Sequence, residues 1–280
     1  MTNFLLLLLS TWNTSGEIGL NVSQNFYNEA WLGSEVGSIT WSYLLIINTS
    51  GTLLEKLEFS NGLIANFGQT YLQNSETGKW EPPQKSADRI ENEAILRFNM
   101  GLLADPFSSL RFESQFHDNT YKSVPRYIHP IILSESMGAS KFLYKNDKNE
   151  IQTRLGFTVK EFFERPVDTL TMSIAGSNVR VDGGLEWVTS GIHSLSENVL
   201  YKGELRIYKA FFNSKAGKLE GTPEEALWKN PDIDFKNILS VSIIKYLKVN
   251  FYLQLIYERE INSRIMIKEN LLVGLNINLF

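Results

Sequence analysis

KVNFYLQLIYE, residues 248–258, places Val249, Phe251, Leu253, Leu255 and Tyr257 on one side of an extended chain and Asn250, Tyr252, Gln254 and Glu258 on the other. Successive side chains of a strand point to opposite faces, so this stretch reads as a strand with one apolar and one polar face. Its length narrows the choice. Strands of soluble proteins run about 5–6 residues, whereas a tilted strand that crosses a bilayer needs about 9–11.

The period recurs along the chain. In GSITWSYLLIIN (37–48), Ile39, Trp41, Tyr43, Leu45 and Ile47 oppose Ser38, Thr40 and Ser42. In RIENEAILRFNMG (89–101), Ile90, Ala94, Leu96, Phe98 and Met100 oppose Arg89, Glu91, Glu93, Arg97 and Asn99. The ending, VGLNINLF (273–280), sets Val273, Leu275, Ile277 and Leu279 on one face, with Phe280 one residue out of phase.

Composition limits the alternatives. The 280 residues are 43% hydrophobic with a formal net charge of -4, which supplies ample apolar surface and no general attraction for nucleic acid. Cysteine is absent, so there is no disulfide framework and no thiolate metal site. The longest apolar run, Phe4 to Leu9, is far short of the ~20 residues of a spanning helix. Residues 1–11 have the apolar middle of a secretory signal without a basic start or a clear cleavage site, and read as a clipped or atypical signal ahead of one domain, 12–280.

Alternation predicts twelve strands, near 17–27, 37–48, 52–71, 87–101, 108–118, 132–145, 150–163, 184–191, 199–211, 231–244, 248–258 and 263–280. The connections alternate as well. Segments 28–36, 72–86, 119–131, 164–183 and 212–230 are long, while NTSG (48–51), the stretch around ADPFS (104–108), KNDKNE (145–150), the 192–198 link and the Ile244–Lys248 turn are short. EREINS (258–263) fits either class. A soluble β-sandwich or lipocalin-like binding module has no reason to keep this rhythm. A transmembrane antiparallel up-and-down β-barrel does, with short periplasmic turns, long extracellular loops and an even strand number. Lys209, Asn237 and Glu269 interrupt the apolar faces near the long-loop ends, where a charge costs least. In lipid every backbone polar group must be satisfied internally, so the last strand must pair with the first.

NVSQ (21–24), NEAWLGSEVGSIT (28–40), Asp88-Arg89-Ile90-Glu91, PIIL from Pro130 and IIKYLKVNFYLQLIYERE (243–260) together resemble, in order, the Bacteroidetes-type outer-membrane barrel family termed domain of unknown function 3078. The resemblance spans residues 12–280 and departs from the family pattern at Gly33-Ser34, where a glycine pair is expected. It implies a barrel in the bacterial outer membrane and no activity. The ending resembles the C-terminal assembly signal of such barrels, carried by Leu275, Ile277, Leu279 and Phe280, with outer-membrane lipid and the barrel assembly machinery as partners.

Catalytic chemistry has little to stand on. His117, His129 and His193 form no ligand array, and no nucleophile elbow accompanies the serines, so a barrel hydrolase is the weakest reading and no cofactor is called for. VDGG (181–184) reads as a tight turn, and Thr222-Pro223-Glu224-Glu225 as the start of a short helix inside a loop. Trp31, Trp41, Trp80, Trp187 and Trp228 suit an interfacial girdle. The candidate site is the inner wall. Arg89, Glu91, Glu93 and Arg97 stand beside Arg111, Glu113, Gln115 and His117, and Lys202, Glu204 and Arg206 form a second cluster on strand nine. Mixed charge there means lumen ion pairs that fill the barrel, a narrow polar pore or a solute site. The functional expectation is a narrow or closed porin-like channel, a small-solute binder or a structural surface protein.

Overall fold

The structure is a computed structural model that describes residues 12–27, 36–146 and 148–279. The segment 1–11, Trp31, the Gly33-Ser34 pair and Phe280 lie outside the described residues. Within them a closed antiparallel barrel forms from twelve strands in chain order. These are β1 (Trp12–Asn25), β2 (Ser38–Leu54), β3 (Leu57–Leu72), β4 (Gln84–Phe98), β5 (Asp105–Ser114) and β6 (Ile131–Lys145). The ring continues with β7 (Asn149–Glu164), β8 (Asn178–Ser196), β9 (Val199–Asn213), β10 (Asp232–Ile244), β11 (Leu247–Tyr257) and β12 (Met266–Asn278). Strand lengths run from 10 residues in β5 to 19 in β8, well beyond the soluble range. No helix of the described residues is long and apolar enough to cross a membrane.

Burial is inverted relative to a soluble domain. Ile18, Leu20 and Val22 of β1 and Leu271, Val273, Leu275 and Ile277 of β12 are exposed on the outside, while Glu91, Arg111, Arg154, Glu186 and Arg206 are buried inside. A single closed sheet with an oily exterior and a charged interior is a transmembrane barrel, not two sheets packed through an apolar core. Aromatic rings mark both rims of the outer face. Trp41, Tyr43, Phe67 and Phe116 pack together toward the long-loop end, with Phe67–Phe116 centroids 5.9 Å apart, and Trp12 meets Phe59 edge-on at 5.8 Å at the tight-turn end.

The seam joins β1 to β12 through Glu17↔Asn278, Ile18↔Ile277, Gly19↔Asn276, Leu20↔Leu275 and Asn21↔Gly274. Inside the seam, Glu17 accepts from Asn276 and pairs with Lys248 at 3.0 Å. Gly274 is needed there, because a Cβ would lie 2.7 Å from the Leu20 carbonyl oxygen.

Several boundaries differ from the sequence reading. NTSG lies inside β2, and the turn falls at 55–56, because the polar residues that suggest a turn remain paired with β1 and β3. β8 extends well past 184–191 at both ends, and VDGG is strand: its glycines absorb a register shift against β9 instead of a reversal. The 258–265 connection joins the long-loop end, which settles EREINS. Thr222–Glu225 forms turns leading into a 3₁₀ segment, Leu227–Lys229, since the Thr222 hydroxyl donates back to the Leu219 carbonyl and caps no helix. Trp187 sits mid-strand on β8, not at a rim, and its indole N–H reaches the Thr153 hydroxyl at 2.8 Å. Asn237 is likewise mid-strand on β10, where the Tyr201 hydroxyl donates to it at 2.6 Å.

Candidate functional site

Strand registers determine which side chains share the lumen. Glu91 faces Glu113 and Glu93 faces Arg111 across the β4–β5 ladder, so these four stand on one inner wall. Lys202, Glu204 and Arg206 of β9 lie opposite, paired in register with Ile192, Ser190 and Val188 of β8. Both clusters therefore occupy the lumen as the alternation predicts. The structure adds that they meet.

Glu93 is the junction. Arg154 of β7 donates to it at 3.0 Å, and Arg206 of β9 approaches within 3.7 Å. Glu91 is gripped by Arg89 and by Lys236 of β10, the latter at 3.5 Å. β4 and β10 lie halfway round the ring from each other, so this contact spans the barrel. Glu186 of β8 ties Arg206 at 2.9 Å to Arg111 at 3.5 Å, and Lys236 also reaches Glu204 at 3.4 Å and Asp234 at 3.2 Å. Arg89 adds a bond to the Tyr252 hydroxyl of β11 at 3.4 Å. The result is a lattice of alternating charge across the middle of the lumen. Each buried ion is compensated by at least one opposite charge, as ions removed from bulk water require.

Three placements correct the sequence reading. Arg97 lines the lumen but belongs to a separate cluster near the tight turns, paired with Glu58 and with Asp105 at 3.5 Å. Gln115 and His117 are not on strand five, which ends at Ser114. The N–H groups of Phe116 and His117 turn instead to the carboxylate of Asp88, at 2.6 and 3.0 Å, so the ladder stops. Gln115 accepts from Lys85 at 2.6 Å, and the His117 ring stacks on Tyr127 at 4.8 Å. Sequence reasoning missed Arg154, Glu186, Asp234 and Lys236. Each stands at a polar-face position of an alternating strand, and that position is the signal that could have found them.

At the long-loop end, residues 115–130 form a loop fastened to itself and to the connection at Arg165. His117–Asp118 pairs with Arg126–Tyr127 as a two-stranded ribbon. Asp118 accepts from Arg126 at 2.6 Å and from the Nδ1–H of His129 at 2.8 Å, while its other oxygen takes the Thr120 amide and hydroxyl. These bonds hold its carboxyl at about 2, below the ordinary value, against the opposing effect of burial. The Nε2 of His129 accepts the backbone N–H of Arg165 at 2.9 Å. Both ring nitrogens are thereby occupied, and neither is left to activate a hydroxyl. Arg126 and Arg165 exchange bonds with each other's loops, to the Arg165 and Tyr127 carbonyls at 2.7 and 2.6 Å. Among the described residues no three His, Asp or Glu side chains gather to hold a metal ion.

No family model matches the chain, and no curated protein does either. Solved structures resemble it in shape. An outer membrane channel of Pseudomonas putida F1 aligns at TM-score 0.44 and 11% identity, over 95% of this chain and 94% of that one. The beta domain of the Bordetella autotransporter BrkA gives TM-score 0.37 and 9% identity, over 95% of this chain and 98% of that one. The translocator domain of autotransporter NalP from Neisseria meningitidis gives 0.35 and 8%, over 95% and 87%.

Proposed function

We propose that the chain is an integral outer-membrane barrel whose resting lumen is closed, and that it performs no catalysis. One observation carries the reading: Glu93 and Glu91 of β4 are held by Arg206 and Lys236 from the far side of the ring, so ion pairs fill the space a solute would cross. Twelve strands lie between the eight that side chains fill and the sixteen to eighteen that leave an aqueous channel, so bridging by long side chains is geometrically sufficient. Membrane placement is supported by the exposed apolar exterior with aromatic rims, and the motifs resembling domain of unknown function 3078 agree with it. Leu275 and Ile277 point outward on the closing strand, as an assembly signal read by the barrel machinery requires. For the non-catalytic part the support is confined to one histidine, His129, whose two ring nitrogens are both engaged.

The test is reconstitution into liposomes after detergent extraction of the membrane fraction. The protein should migrate faster unboiled than boiled, and its liposomes should swell in small sugars no faster than empty ones. Release of the protein into buffer without detergent would contradict the membrane placement, and rapid swelling would contradict closure.

A further inference from the structure

YLLIIN, residues 43–48, is apolar on both faces of β2. Tyr43, Leu45 and Ile47 point outward, which turns Leu44 and Ile46 into the lumen, where alternation calls for polar groups. Other strands repeat the exception. Ile64 of β3, Leu200 of β9, Ile238 of β10 and Leu272 of β12 also face inward, and all six line one cavity of about 380 Å³. It reaches the 197–198 turn, so its mouth is at the tight-turn end, and its inner end is bounded by Arg89 and Tyr252 of the ion lattice. A volume of that size falls in the range of small-molecule sites, about 300–1,000 Å³.

Two cations distinguish this cavity. Lys202 and Lys268 both line it, and beyond it each borders a different space against the lattice. The other cations of its lining are paired, Lys248 with Glu17 at 3.0 Å and Arg89 with Glu91, and beyond it Lys236 holds three carboxylates. Among the described residues, Lys202 and Lys268 form no ion pair. An apolar wall wetted by water loses free energy when hydrocarbon covers it, and an ammonium that no carboxylate contacts directly gains a charge-assisted hydrogen bond from an anion.

We propose that this cavity binds an amphipathic monoanion, an alkyl carboxylate of medium chain length, which enters from the tight-turn side. The head group reaches Lys202 and Lys268 at the inner end, and the alkyl chain lies against Leu44, Ile46, Ile64, Leu200, Ile238 and Leu272. The inference rests on the closed-lumen reading, because the lattice forms the cavity's inner wall.

Calorimetric titration of the full chain in nanodiscs, with empty nanodiscs subtracted, tests it. Decanoate should bind saturably with one site per chain, while acetate, 1-decanol and decyltrimethylammonium should each bind at least about tenfold more weakly. A Lys202→Gln/Lys268→Gln double variant should lose roughly 10–100-fold of decanoate affinity, the equivalent of one charge-assisted bond. A Leu44→Asn/Ile46→Asn variant should lose affinity for decanoate as well, with its heat-shifted gel band intact. No saturable heat, equal binding of decanol and decanoate, or unchanged affinity in the lysine variant would overturn the proposal. Liposome swelling on the same preparation separates the two readings: absent binding with unswollen liposomes sinks this inference alone, whereas rapid swelling sinks closure.

Discussion

Glu93 shows how much of the lumen hangs on one side chain. It answers Arg154 and Arg206, both buried, so Glu93→Ala leaves two guanidinium groups without their shared carboxylate. Breaking a buried ion pair from one side costs about 3–5 kcal/mol. The variant should therefore unfold at markedly lower denaturant, read as loss of the fast-migrating unboiled band; an unchanged midpoint would mean that Glu93 is not the junction. Asp118 allows a test by pH. Its folded carboxyl is held at about 2, below the unfolded value near 3.8, so the charged form stabilises the 115–130 loop. That contribution is complete above the unfolded value and disappears as pH falls through about 2. The difference in amide exchange across residues 115–130 between wild type and Asp118→Asn should be constant above pH ~4 and vanish near pH ~2. A difference that fades already between neutrality and pH ~5 would assign the lock to another group.

At the scale of elements, the barrel closes through a short seam. Deleting residues 275–280 removes four of the five β1–β12 pairs and leaves only Asn21↔Gly274. Open strand edges in hydrocarbon leave backbone groups unsatisfied, so the truncated chain should fail to insert and appear in inclusion bodies or as proteolysed fragments. Folded protein at wild-type levels in the membrane would contradict this. Gly274→Val should act more mildly, costing about 1–3 kcal/mol as the valine is forced against the Leu20 carbonyl. Strand existence was legible at this scale because the two faces meet different solvents. The ends were not. β2 runs on through NTSG as a polar ladder, and β8 through 192–196 with only Ile192 and Leu195 among polar residues, so backbone pairing continues where the apolar alternation no longer betrays it. Strand five failed in the other direction. Its alternation runs on to His117, but Asp88 takes the amides that would have continued the ladder.

Across the whole molecule, the wall assignment of Arg89, Glu91, Glu93, Arg111, Glu113, Lys202, Glu204 and Arg206 could be read from period two alone. Their partners could not. A contact such as Glu91–Lys236 joins strands on opposite sides of the ring, and it depends on every register between them and on barrel closure. Arg97 illustrates the limit: it shares the face of Glu93 but sits too close to the tight turns, and pairs with Glu58 and Asp105 instead. The inward Leu44 and Ile46 escaped notice for a related reason, since an apolar residue on the polar face looks like noise until a cavity gathers several of them.

Closure by the ion lattice is tested most directly by planar-bilayer recording of the wild type beside a Glu91→Ala/Glu93→Ala/Glu113→Ala variant, each checked for the heat-shifted band and for insertion. The wild type should carry no steady current. In the variant, Arg89, Arg154 and Lys236 lose carboxylates that bridge the lumen, while the outward residues are untouched, so the barrel should persist and pass anions in preference to cations. A steadily conducting wild type, or a folded and inserted variant that stays silent or prefers cations, would contradict the account.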